Sequence, residues 1–133
     1  MKKILFLFLG LVILGVSACR KEYITNTTPN QTIYYTLNNS NWSLSGDGKT
    51  YLASIPFASS DIYLNQYDGL LLYISYDSGK TYISVPQTYN GLSYSYSVDN
   101  DKVYIEVQNS DGSVGVSNPG NMTAKVVLIP SQE

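Results

Sequence analysis

The side chains of this sequence that could carry acid–base chemistry are carboxylates. Two carboxyl groups that flank a glycosidic bond can hydrolyse it. Each candidate stands in or beside a predicted turn, where aspartate is favoured because its side chain bonds to nearby backbone amides. The candidates are Asp47, Asp61, Asp68, Asp77, Asp99, Asp101 and Asp111. The turn positions predict structural roles for these residues rather than a catalytic pair.

Other residue types used by enzymes and metal centres are scarce. The 133 residues include no histidine, which excludes histidine-dependent triads and histidine-ligated metals. No glycine-rich phosphate loop stands between a strand and a helix. The segments 99–101 and 109–112 carry oxygen ligands at spacings that calcium could use, but neither has the length or closing glutamate of an EF-hand loop. Hairpin turns explain both segments, so we expect no enzyme activity, no cofactor and no metal site.

The single cysteine, Cys19, follows a leader typical of exported proteins. Lys2 and Lys3 form its basic part, and residues 4–14 form its apolar part. The apolar run is shorter than the roughly 18 to 20 residues that a permanent membrane-spanning helix needs. We therefore expect the leader to be removed.

Two cleavage modes are open. Val16 and Ala18 fit an ordinary small-residue site, which leaves an unpaired thiol in an exported protein. The segment 16–19 also resembles a bacterial lipobox, in which the cysteine receives a diacylglyceryl thioether, becomes the first mature residue and is then N-acylated. Lipidation explains the odd cysteine, and two or more acyl chains hold a protein stably on a membrane. Aspartate after the cysteine often retains lipoproteins in the inner membrane, so Arg20 favours the outer membrane.

The composition after Cys19 predicts one folded domain. Removal of residues 1–18 leaves 115 residues with six basic and ten acidic side chains, a net charge of −4. Scattered lysines in an acidic chain argue against nucleic acid or an anionic membrane surface as partner. All thirteen tyrosines lie in this part, which is too aromatic for a disordered tail.

Residues 19–31 read as a polar tether, and residues 32–130 as one domain with period-two hydrophobicity. Fully extended, the eleven residues 20–30 reach ~36 Å. About seven strands are predicted, at 32–37, 49–57, 70–76, 80–85, 92–98, 103–107 and 124–129. Residues 70–76 are apolar on both faces, which predicts a central strand covered on two sides. The fold class expected is all-β, a single antiparallel immunoglobulin-like β-sandwich, with a small barrel as the alternative.

Three aromatic residues in predicted loops are candidate ligand contacts, because strand periodicity does not bury them. They are Trp42, Tyr67 and Tyr89. We expect a ligand to meet loops at the end of the sandwich that faces away from the tether. In the competing expectation, Trp42 folds back and closes the open end of the core.

The lipobox, the tether, Trp42 in an early loop, Asp68-Gly69 before an apolar strand and the apolar segment 126–130 together resemble small lipoproteins of the Bacteroidota. The resemblance implies a single β-sandwich of unknown function, an outer-membrane location and a lipid on Cys19. Tyr82, where an indole is common, and the absence of a repetitive tether depart from the pattern. The resemblance implies no catalytic residue in this sequence.

Two functions follow as expectations. The first is a non-catalytic binding or adhesion module for a polysaccharide or another envelope protein. The alternative is a structural envelope component or accessory subunit without its own ligand.

Overall fold

The computed structural model describes residues 29–56, 69–99 and 102–130. These residues form strands and one 3-10 turn (Asn39–Asn41). The strands are β1 (Gln31–Leu37), β2 (Ser43–Leu44), β3 (Thr50–Pro56), β4 (Gly69–Ser75), β5 (Ile83–Val85), β6 (Gln87–Tyr89), β7 (Leu92–Asp99), β8 (Lys102–Asn109) and β9 (Met122–Ile129). The all-β prediction is confirmed.

The strands form two antiparallel sheets packed face to face, with the orders β1-β9-β4-β5 and β2-β3-β8-β7-β6. The predicted sandwich is therefore confirmed, with more strands than expected because β2 and β6 are too short to show a period. The first strand pairs with the last, whereas in the immunoglobulin arrangement it pairs with the second. β3 ends at Pro56, which has no amide hydrogen to donate to a further partner.

The core lies between the two sheets and comes from alternate residues of each long strand. From the first sheet the fully buried side chains include Leu37, Leu72, Ile74 and Val126, and from the second Ile55, Val103, Ile105 and Val107. Each such side chain contributes ~1.5–3 kcal/mol relative to an exposed position. Tyr94 faces inward with them, and Tyr96 donates its hydroxyl to the Leu70 carbonyl at 2.9 Å.

The expectation that β4 is covered on both faces is wrong. β4 lies inside its sheet, between β9 and β5, and Leu72 and Ile74 are buried on its inner face. On its outer face Leu71 is 43% exposed. Tyr73 beside it packs under the Lys125 ammonium, which lies 5.2 Å from the ring centroid. In the described part of the chain, the outer face of β4 is therefore partly exposed, with the Lys125 ammonium over the Tyr73 ring.

The two ends of the sandwich differ in what they carry. At the end that we call proximal, the described chain enters β1 at Gln31, which pairs with Leu128. At the opposite, distal end, β1 finishes at Leu37 beside Met122, and β4 finishes at Ser75 beside Thr123. The loops after β1 and β4, the β6–β7 turn and the segment that leads to β9 all lie at the distal end.

Several sequence predictions lie outside the described residues. These are the leader, Cys19, most of the tether, the last residue of the strand predicted at 49–57, the carboxylates Asp61, Asp68 and Asp101, and Tyr67.

Candidate binding site at the distal end

Trp42 closes the distal end of the core. It is 6% exposed and belongs to the buried cluster, and its Nε1–H donates to the Gly120 carbonyl at 2.9 Å. A buried indole commonly finds such a partner for its N–H. Trp42 is therefore corrected from a candidate ligand contact to a core residue, and the competing expectation is the one observed.

Asparagines hold the loops around Trp42 together. The Asn39 amide donates to Asn121 Oδ1 at 3.2 Å, and Asn118 Nδ2 donates to the Asn39 carbonyl at 3.2 Å. Asn118 Oδ1 accepts the Gly120 amide at 2.9 Å. These bonds connect the 3-10 turn to the segment before β9. Both the nitrogen and the oxygen of the Asn118 side-chain amide are hydrogen-bonded.

Tyr89 lies at the distal end next to a two-residue hairpin turn. Asn90 and Gly91 both have positive φ, +52° and +80°, as a type I′ turn requires. Asparagine and glycine tolerate this conformation better than other residues. Tyr89 pairs with Leu92 across the turn and is 46% exposed. The sequence places Tyr89 in a loop, whereas it is the last residue of β6. Its ring is exposed beside the turn, so Tyr89 remains a candidate ligand contact.

Tyr76 supports Tyr89. The two rings are stacked, with centroids 4.4 Å apart and planes 14° apart, and Tyr94 meets Tyr76 edge-on at 5.7 Å. The Tyr76 hydroxyl accepts Gln87 Nε2 at 3.2 Å. Burial, followed by the hydrogen bond with Tyr94, raises the pKa of Tyr76 well above its usual range, and burial also raises the pKa of Tyr94. Both phenols therefore stay neutral at physiological pH.

The loop after Tyr76 is fixed by Ser75 and Asp77. Ser75 is fully buried; its hydroxyl donates to Asp77 Oδ1 at 2.7 Å and accepts the Gly79 amide at 2.8 Å. Asp77 Oδ1 also accepts the amides of Thr81 at 2.8 Å and Lys80 at 3.1 Å. The Thr81 amide, followed by the Ser75 hydroxyl, lowers the pKa of Asp77 to about 2. The residues on either side of Tyr76 are thus held in one conformation.

A cleft of about 490 Å³ opens beside the stacked tyrosines. Its lining combines aromatic rings with amide and hydroxyl groups: Tyr76, Tyr89, Asn90, Gly91, Leu92, Tyr94, Asn109, Ser117, Asn118 and Pro119. Such a mixture of apolar surface and a few polar groups is typical of small-ligand sites.

Tyr76 also lines a second cleft, of about 420 Å³. The lining of this cleft consists of Thr36, Tyr76, Ser78, Asn121, Met122 and Thr123. Tyr76 is therefore shared by two recesses at the same end of the sandwich. Sequence reasoning missed Tyr76, because alternation assigned it to the end of a strand; the adjoining Asp-Ser-Gly turn is the signal that it borders a loop.

Three carboxylates serve turns, as the sequence predicts. Asp77 bonds the amides given above, Asp47 Oδ1 accepts the Lys49 amide at 3.1 Å, and Asp111 Oδ1 accepts the Ser113 amide at 2.9 Å. The Ser45 hydroxyl is the main cause of the lowered pKa of Asp47, and Ser113 has the same effect on Asp111. Within residues 29–56, 69–99 and 102–130, no three acidic or cysteine side chains are grouped to hold a metal ion.

No family model, curated protein or solved structure matches this chain. In the part that the structure describes, no helix has the length and apolar character to cross a membrane.

Proposed function

We propose that this protein is a lipid-anchored component of the cell envelope whose β-sandwich is a non-catalytic binding module. The anchor is the lipid on Cys19, after cleavage of the leader, and the outer membrane is the location that Arg20 favours. The resemblance to small Bacteroidota lipoproteins points in the same direction.

One observation supports the binding module above others: the Tyr76–Tyr89 stack borders a cleft at the distal end of the sandwich. The described chain enters the domain at the proximal end. A tether that leads from a membrane to Gln31 would therefore present the distal cleft to the surroundings. Binding sites commonly lie in loops that a rigid scaffold positions.

The partner is a polysaccharide or another envelope component, not nucleic acid. Exposed aromatic rings with fixed orientation are common anchors in recognition, because they bury a large area at a small cost in side-chain entropy. Tyr89 meets this description, since Tyr76 holds one side of its ring and the residue is 46% exposed.

The alternative function, a structural component without its own ligand, is favoured by Trp42. Trp42 has the largest ring system of the candidate aromatics, yet it is buried and closes the core, so it is not available to a ligand. If Tyr89 likewise served only packing, none of the candidate aromatics in the described residues would remain as a ligand contact.

A pull-down separates the two functions. The lipidated full-length protein, Tyr89→Ala and the control Tyr34→Ala are each recovered from the envelope of the native host with their bound components. Tyr34 is a matched control, because it is 60% exposed but lies on the outer face of the first sheet. A binding module retains a component in the native protein and in Tyr34→Ala, and loses it in Tyr89→Ala. Equal recovery with all three proteins supports the structural alternative.

A further inference from the structure

From the chemistry of the distal clefts, we infer that their ligand is an uncharged saccharide chain that stacks on Tyr89 and spans both recesses around Tyr76. This inference rests on the proposed binding function and specifies its ligand class.

The first argument is charge. Among the described residues that line the two clefts, none is charged. The phenols of Tyr76 and Tyr94 are uncharged at physiological pH, as tyrosine normally is, and burial raises the pKa of each further. Recognition of carboxylate, sulfate or phosphate groups normally uses arginine or lysine. Lys125 lies over the Tyr73 and Tyr82 rings on the outer face of the first sheet, and Lys102 pairs with Asp99 at the proximal end. Lys49 and Lys80 lie in the loops that precede β3 and β5, and neither belongs to the lining of a cleft. The described lining therefore provides no cation for an acidic ligand.

The second argument is the ring platform. The face of an aromatic ring carries partial negative charge, and the C–H groups on the flat side of a sugar carry partial positive charge, so the two attract when they stack. Tyr89 is already oriented by Tyr76, with planes only 14° apart. A ligand therefore does not have to immobilise the ring, which lowers the entropic cost of binding.

The third argument is hydrogen-bonding capacity. Sugar hydroxyls both donate and accept, so they suit amide and hydroxyl side chains, which do the same. In the described part of the chain, the side chains of Asn90 and Ser117 make no hydrogen bond with another residue, and both line the larger cleft. Asn118 differs, since both ends of its amide already bond to backbone groups. Asn90 and Ser117 are thus the groups available to a saccharide.

The fourth argument is extent. Tyr76 lines both clefts, of about 490 and 420 Å³. The second adds the hydroxyls of Thr36, Ser78 and Thr123 to the polar groups around Tyr76. Two adjoining recesses of similar size and similar chemistry fit successive units of a chain better than one isolated monosaccharide.

Affinity electrophoresis tests the inference with defined probes. The lipidated full-length protein in mild detergent is run through gels that contain a neutral polysaccharide (β-glucan, mannan, galactan or xylan) or an acidic one (polygalacturonate or hyaluronate). We expect at least one neutral polysaccharide to retard the protein and the acidic ones to have no effect. Longer oligosaccharides of that polymer should compete more strongly than its monosaccharide.

Variants locate the site. Tyr89→Ala should weaken retardation about tenfold or more, as truncation of an aromatic anchor commonly does. Tyr89→Phe keeps the ring and should retain most binding, and Tyr34→Ala should bind as the native protein does. Asn90→Gly removes the amide group but keeps a residue suited to φ +52°, so it should weaken binding without lowering the melting temperature.

The outcomes distinguish this inference from the proposed function. Retardation by acidic polysaccharides alone, or by none, overturns the inference of a neutral saccharide. If the pull-down still shows a component that depends on Tyr89, the binding function stands with another ligand class. Retardation by a neutral polysaccharide that Tyr89→Ala leaves unchanged also overturns the inference, because the site is then elsewhere.

Discussion

The indole N–H of Trp42 donates to the carbonyl of Gly120 at 2.9 Å, although the two residues are 78 positions apart in the sequence. This bond joins the chain just after the 3-10 turn to the segment that leads into β9. Trp42 thereby both fills the distal end of the core and links the loop after β1 to the segment before β9, which lines the clefts. The sequence suggests Trp42 as a ligand contact, but in the structure it is a buried residue that stabilises the loops near the clefts.

Trp42→Ala should destabilise the domain by about 3–5 kcal/mol, the usual cost of removing a buried tryptophan side chain. For a domain of this size that corresponds to a fall in melting temperature of roughly 10 °C or more. Trp42→Phe should lose less, because it keeps most of the apolar contact and only leaves the Gly120 carbonyl without its donor. Circular dichroism melting curves measure both.

Fluorescence checks the burial of Trp42 directly. It is the only tryptophan of the chain, so emission reports on this position alone. We expect blue-shifted emission and protection from a soluble quencher. Emission typical of water, together with an unchanged melting temperature for Trp42→Ala, would contradict a core position.

The strands were predictable where period-two alternation is long and turns have characteristic residues. Val103, Ile105 and Val107 alternate with polar neighbours and are all buried, as expected. Asn90 and Gly91 are residue types that favour a tight turn, and they form the turn between β6 and β7. Both signals are local, because they depend on the side-chain period and on residues that tolerate positive φ.

The clefts were not predictable in the same way, because their walls come from distant parts of the sequence. Tyr76 meets Tyr89 across the two sheets, and Ser117 reaches the same cleft from the segment before β9. Nothing in the local pattern around Tyr76 distinguishes it from a strand tyrosine. The fate of Trp42 depends on a hydrogen bond to Gly120, which also requires knowledge of the tertiary fold.

Neighbouring residues of β4 should respond differently to the same substitution. Leu72→Asp places a carboxylate at a position that is 1% exposed, which costs several kcal/mol even if the group becomes protonated. Because total domain stability is about 5–15 kcal/mol, this variant should be largely unfolded or strongly destabilised. Leu71→Asp is the matched control, since Leu71 is 43% exposed on the outer face.

Urea unfolding of the two variants measures the difference. Leu71→Asp should change the midpoint only slightly, whereas Leu72→Asp should lower it strongly or abolish the transition. Equal effects of the two substitutions would contradict the assignment of inner and outer faces to β4.

Cys19→Ala should prevent lipid attachment. The variant should accumulate as an unprocessed precursor or leave the detergent-soluble membrane fraction, because a chain without acyl groups lacks the proposed anchor. Mass spectrometry of the N-terminal peptide and fractionation of cells measure the two effects. N-terminal peptides that differ in mass only by the exchange of cysteine for alanine, together with equal membrane recovery of the variant and the native protein, would rule out the lipid.

The stability of the loop after Tyr76 should depend on acid pH through Asp77. The folded protein lowers the pKa of this carboxyl from 3.8 to about 2, mainly because the Thr81 amide and the Ser75 hydroxyl bond to its ionised form. The stabilisation is therefore complete above about pH 4 and is lost as the pH falls toward 2. Asp77→Asn has no charge to lose, so its melting temperature should fall less than that of the native protein over this interval.

Asp47 and Asp111 also have lowered pKa values, so the native protein and Asp77→Asn should both lose some stability in acid. The quantity to measure is the difference between their curves of melting temperature against pH. Asp47→Asn provides the control for a turn away from Tyr76. Because Ser75 and Asp77 flank Tyr76, loss of their hydrogen bond should also loosen the Tyr76 ring, which lines both clefts. Hydrogen exchange at the amides of Gly79 and Thr81 should then accelerate below pH 4 relative to the intrinsic rate in the native protein. Parallel melting curves for Asp77→Asn and the native protein, with unchanged protection of these two amides, would show that the Asp77 carboxylate does not stabilise this loop.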